Sequence, residues 1–306
     1  MKEEILDLMW RVNIDESKHE IYYKIVERCL ESISTISDEF TAKLKADANF
    51  QVVIKTEDVI SPDAGTAFGT NLIIFQVKLI LEYIKFYEDF YSISKVSFLL
   101  DSQIVRRIVL AITVAFLHEM THIIRGHDST TVEASVPNNL AVRASETDAD
   151  FLAGLQLYKW FLGPAISDSL MNNISLNHAI ARPPVFFRDA ACAMTLLTLF
   201  FYEKMNSKSN DYHCPSLRNV ILMSGFMCGV DDEYNMFINL FEVGYEEIIK
   251  WTTENNVKGI YDEFLVVSAS EYSQLEQETT KALEQQRVLT DNSEVWKVLF
   301  SHAINV

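Results

Sequence analysis

Apolar residues recur at helical spacing through most of the chain, most clearly between about Ser102 and Arg125. There Ile104, Ile108, Ala111, Ala115, His118 and His122 follow one another at steps of four and three, so on a helix they form one stripe. Gly126 supplies a stop. Upstream, residues 4–45 read as helices interrupted by the polar run Asn13-Ile14-Asp15-Glu16-Ser17. Phe50–Lys55 is β-branched and partly alternating and reads as a strand, while Ser61–Gly65 reads as a turn. Asn71–Val77 fits a second strand or the start of a helix reaching about Tyr91. Downstream of a polar loop from Asp128 to Asn139, a helix is expected at Ala141–Leu162, ended by Gly163-Pro164. Arg182-Pro183-Pro184 should break the chain again. Residues 186–204 are apolar on nearly every side, the pattern of a helix at the centre of a core. After a second polar loop, Asn206–Pro215, helices are expected at 216–229 and over 236–306.

This order predicts an α+β fold, mainly α, with a small sheet ahead of the key helix and extra helices at both ends. Residues 1–100 would form a lobe of helices and sheet, 101–235 the helical core, and 236–306 a helical extension. No repeat, low-complexity tract or Pro/Gly/Ser linker divides the chain. At 306 residues, 49% hydrophobic and 23% charged, it can bury a large core. Its formal charge of −17 repels phosphate backbones, so nucleic acid is not an expected partner; cations and neutral or basic polypeptide are better suited. The four cysteines, Cys29, Cys192, Cys214 and Cys228, are scattered without a paired spacing, which fits a reducing compartment. Met1-Lys2-Glu3-Glu4-Ile5 lacks the basic and apolar regions of a secretion signal. The longest apolar runs, Ile108–Leu117 and Ala190–Phe201, fall short of the roughly 18 residues that span a bilayer. A cytoplasmic protein without a membrane partner is expected.

The chemistry concentrates in His118-Glu119-Met120-Thr121-His122. Two imidazoles four residues apart share a helix face and can bind one Zn²⁺. Glu119 flanks the metal without having to ligate it, the place for a general base that deprotonates a metal-activated water. A catalytic zinc takes three protein ligands and keeps a position open. The best third ligand is Glu146, in Glu146-Thr147-Asp148-Ala149-Asp150. Asp150, one turn on, could accept a hydrogen bond from a ligand imidazole, in the first place that of His118, and fix its tautomer. Asp148 should point elsewhere. A pattern with Gly at 125 and His at 128 would supply a third histidine, but the chain has Arg125 and Asp128. His127 then reads as a residue supporting the ligands or lying at the surface. His127, Glu133 and, more weakly, Asp128 stay open as other third ligands.

Tyr212-His213-Cys214-Pro215-Ser216-Leu217-Arg218 joins a histidine, a helix-starting proline and an arginine. His213 could stabilise a tetrahedral oxyanion, and Arg218 could pair with Glu146 or another carboxylate. The plain alternative is an ordinary helix start. His19, His178 and His302 have no companions at ligand spacing.

His118–His122, Gly126-His127 and Glu146–Asp150 together resemble the gluzincin metallopeptidases, whose HExxH is followed by a glutamate in an ExxxD helix. His213–Arg218 looks like the HPPxxxR stretch of a membrane-protease group, departing from it at Cys214 and in the shorter interval to Arg218. HExxHxxxGH with ExDAD looks more like the Lit-type phage-exclusion peptidases, a resemblance confined to about residues 104–160. It implies a zincin-like fold, Zn²⁺ on His118, His122 and Glu146, Glu119 as base, and an intracellular protein substrate, a translation factor in that group. Two other readings stand beside it. One is a zinc peptidase that cuts a repressor. The other is a non-catalytic binding or regulatory module with a structural or degenerate zinc site, in which His127 would close the open position.

Overall fold

The computed structural model describes residues 1–43, 50–59, 64–66, 71–92, 99, 101–125, 127, 138–162, 183–204, 213, 215–255, 273 and 277. Among these, helix α1 (Lys2–Arg11) and a 3₁₀ turn (Glu16–Lys18) lead into helix α2 (His19–Lys43). The turn between them matches the polar run: Asn13 takes a left-handed φ of 57°, and Asp15 accepts a hydrogen bond from Ser17 N at 2.8 Å.

Three short strands follow, β1 (Gln51–Lys55), β2 (Ala64–Thr66) and β3 (Leu72–Gln76). They form a mixed sheet in the order β1-β3-β2, with β1 parallel and β2 antiparallel to the centre strand. The expected turn at Ser61–Gly65 is corrected at its end, since Ala64 and Gly65 belong to β2. Ala64 and Gly65 are poor strand formers; pairing with β3 imposes the conformation. Both readings of Asn71–Val77 hold in part, because β3 passes directly into helix α3 (Val77–Phe90).

Helix α4 (Ser102–Arg125) is the centre of the molecule, packed by α2, α3, β2, β3, helix α5 (Asn138–Leu162) and helix α6 (Pro183–Lys204). The sequence implied one buried stripe, yet every residue from Val105 to Arg125 is buried except Glu119. Neighbours on all sides, rather than one partner face, account for the difference. Helix α5 begins three residues earlier than expected. Pro183 and Pro184 are the first turn of α6 rather than a break before it, a position where a missing N–H costs no helix bond. Pro215 likewise starts helix α7 (Pro215–Gly229). A 3₁₀ turn (Asp232–Phe237) and helix α8 (Ile238–Glu254) complete the described core; residues 255–306 lie almost wholly outside it.

One continuous cluster of buried side chains runs from Ile5 to Ile248 and includes residues of all three expected segments. By length and composition, Gln103–Arg125 and Pro183–Glu203 could cross a membrane, more than the run lengths suggested. Their most apolar windows are 94% and 78% buried inside the protein, so packing accounts for their apolarity.

Helices α5 and α7 cross at two glycines. A Cβ on Gly154 would lie 2.0 Å from Leu222 O, and one on Gly225 would lie 1.8 Å from Phe151 O. Backbone meets backbone there, which sets how α7 aligns with the acidic stretch of α5.

Candidate metal centre

The site forms where the last turns of α4 meet the third and fourth turns of α5. His118 and His122 project from one face of α4 and both are buried. Their Nε2 atoms lie 3.1 Å apart. Glu146 reaches across from α5, with Oε2 3.1 Å from His118 Nε2 and Oε1 3.5 Å from His122 Nε2. Bonds of about 2.0–2.1 Å at tetrahedral angles place ligand atoms about 3.3 Å apart, so the three groups converge at the spacing a metal ion requires. Among the described residues this is the group of three potential ligands whose donor atoms gather, all within 4.8 Å of one another. The donors can hold a metal ion.

Both imidazoles are held from behind. His118 Nδ1 lies 2.9 Å from Asp150 Oδ1, although its N–H does not point squarely at that oxygen. Arg218 of α7 donates to the same carboxylate twice, Nε to Oδ2 at 2.8 Å and an Nη to Oδ1 at 2.9 Å. Asp150 is the "other carboxylate" for Arg218, and the glycine crossing is what brings α7 there. His122 Nδ1 lies 2.9 Å from Nδ1 of His127, just past the end of α4. His127 Nε2 in turn lies 3.2 Å from Asp148 Oδ2, and Arg125 faces Asp148 through Nε at 2.9 Å.

Burial alone would lower the pKa of His118, but Asp150 and Glu146 outweigh it and raise it to about 10. Burial, and then the charge on His118, push His122 down to about 3. Burial favours the neutral acid at Asp150 and Glu146 as well, yet Arg218 and His118 hold Asp150 well below its usual value, and His118 and His122 lower Glu146. Without metal the pair thus keeps one proton on His118, bracketed by two carboxylates. A metal ion must displace that proton to use Nε2.

Glu119 is on α4 beside His118, partly exposed in a helix otherwise buried from Val105 onward. His213 is buried with Nε2 3.0 Å from Thr147 Oγ1, next to Glu146 in sequence. That contact anchors His213 against α5, one residue along from Glu146. Asp148 touches neither ligand imidazole, as expected, but it reaches the site through His127. The link from Asp148 to His127 and Arg125 was not foreseen, because spacing within one helix says nothing of a residue beyond its end or of which residues a second helix meets. Glu133, Asp128, Tyr212 and Cys214 lie outside the described residues.

Comparison with protein-family models, with curated proteins and with solved structures returned no match. The functional reading therefore rests on the site itself.

Proposed function

We propose that the protein is a zinc-dependent endopeptidase of gluzincin type, on a zincin-like fold, acting on an intracellular protein. The observation that carries this reading is the convergence of His118, His122 and Glu146 beside Glu119. Two histidine nitrogens and one carboxylate suit zinc and make up a catalytic set when a further position is left open. A zinc ion held there supplies a Lewis acid that acidifies water and polarises a carbonyl.

The chain's own residues supply the rest. Glu119 takes the proton of the attacking water and passes it to the leaving amine. Asp150, held by Arg218, keeps His118 in the orientation that presents Nε2. His127 sits behind His122, against Nδ1 and away from the converging Nε2 atoms. This argues against the closed, four-ligand site in which His127 is the fourth donor, and favours catalysis over a structural metal.

The test is elemental analysis after reconstitution with zinc, alongside hydrolysis of a translation factor and of a pool of unstructured peptides. Wild type should bind about one ion per chain. Glu119→Gln should keep the ion and lose hydrolysis, while Glu146→Ala and His122→Ala should lose the ion. Absence of metal from reconstituted wild type, or undiminished hydrolysis by Glu119→Gln, would overturn the proposal.

A further inference from the structure

The two ligand histidines are supported unequally, and the difference assigns roles to three residues outside the ligand set. His118 leans directly on a carboxylate; His122 leans on a second imidazole. We infer that His127, Asp148 and Arg125 form an orienting relay that fixes which nitrogen of His122 faces the metal, an inference that rests on the metal-site reading above.

Proton placement sets the direction of the relay. At 2.9 Å, the Nδ1 atoms of His122 and His127 share a single hydrogen, since two N–H groups would repel and two lone pairs would not bond. A His122 that ligates through Nε2 carries its hydrogen on Nδ1 and donates it to His127. His127, accepting at Nδ1, carries its hydrogen on Nε2, where Asp148 Oδ2 accepts at 3.2 Å. Arg125 faces that carboxylate with two nitrogens, Nε at 2.9 Å and an Nη at 3.2 Å, and holds it in place. Every tautomer along the chain is set by the one before it. Asp148 and Asp150 thus do the same task for different histidines, each held by an arginine from a different helix. The spacing Glu146-Thr147-Asp148-Ala149-Asp150 puts a ligand and both supports on one segment of α5.

The experiment measures zinc affinity by competition with a chelating dye in wild type, His127→Ala, Asp148→Asn, the double variant and Asp150→Asn. Long-range ¹H–¹⁵N spectra of zinc-loaded wild type read the histidine tautomers directly. Each relay variant should weaken zinc about 10–100-fold, and the double variant no more than the worse single, because both interrupt one path. The spectra should show hydrogen on Nδ1 of His122 and on Nε2 of His127. Unchanged affinity in His127→Ala and Asp148→Asn, with Asp150→Asn weakened, overturns the relay and leaves the metal site standing. So does a loss confined to the thermal midpoint of the metal-free protein, the mark of a purely structural role. Should the variants not fold, hydrogen on Nδ1 of His127 in wild type overturns it alone. Failure of wild type to bind zinc removes both the relay and the reading beneath it.

Discussion

At the N-terminal end of α4, Arg106 and Arg107 close on Asp189 of α6 at 2.8 and 2.9 Å, and Arg107 also pairs with Glu247 of α8 at 2.8 Å. Arg188 completes the group by donating to Glu247 at 2.6 Å. At the C-terminal end of the same helix, two imidazoles and a carboxylate turn their donor atoms toward a common point. Both ends bury charge between helices. In the first, opposite charges interlock, so the energy resides in mutual satisfaction. In the second, the arginines serve the outer carboxylates, Asp148 and Asp150, and the inner groups, two imidazoles and Glu146, gather around a proton that a metal ion would displace. Burial and ion pairing alone do not single out a candidate metal site; convergence of potential ligand atoms does.

Asp189→Ala should break the comparison most severely. It leaves two arginines buried without their shared carboxylate, a loss of about 3–5 kcal/mol, visible as a large fall in denaturant midpoint. His122→Ala should do the reverse. Zinc affinity should drop at least about a hundredfold, roughly 2.7 kcal/mol, while the metal-free midpoint moves far less than in Asp189→Ala. An equal fall in both quantities for both variants would erase the distinction between the two ends. Gly225→Ala sharpens it. Its methyl group meets the backbone of Phe151, so α7 must shift, costing about 1–3 kcal/mol in unfolding titrations. The same shift disturbs Arg218 and so weakens zinc as well.

The smallest effect is one of pH. Burial raises the pKa of Glu247, but Arg107 and Arg188 overturn this and hold it below its ordinary 4.5. A carboxylate lowered in the folded state stabilises above its unfolded value, and that contribution disappears as pH falls below it. The gap in thermal midpoint between wild type and Glu247→Gln should accordingly be present near neutrality and close as pH drops through about 4.5 and below. A gap that widens in acid would contradict the ion-pair account.

Much of this was legible in the sequence, and the exceptions have physical causes. The spacing of His118 and His122, and of Glu146 and Asp150, follows from helical geometry, so one helix face could be read from each segment. The docking of α5 on α4, which brings those faces together, was an expectation drawn from chemistry. Asp189, Arg107 and Glu247 gave no signal, because their partners lie 82 and 140 residues apart and share no periodicity. β2 was hidden for the same reason, its conformation coming from β3. His213 was singled out by its motif alone; the structure brings its side chain to Thr147, beside Glu146, a contact that no local spacing foretells.

The separations within the site also bear on when a metal could be acquired. His118 and His122 come into register as soon as one turn of α4 forms, yet two imidazoles on a lone helix make a weak chelate. Glu146 is 28 residues further along, and Arg218 meets Asp150 across 68. The full donor set therefore exists only after α5 has docked on α4, and its support by Arg218 only after α7 has docked as well. Small zinc domains collapse around their ion because they have little else to collapse around. Here an apolar core spanning most of the described helices does that work, so an ion bound there would arrive at a finished chelate, following folding instead of directing it.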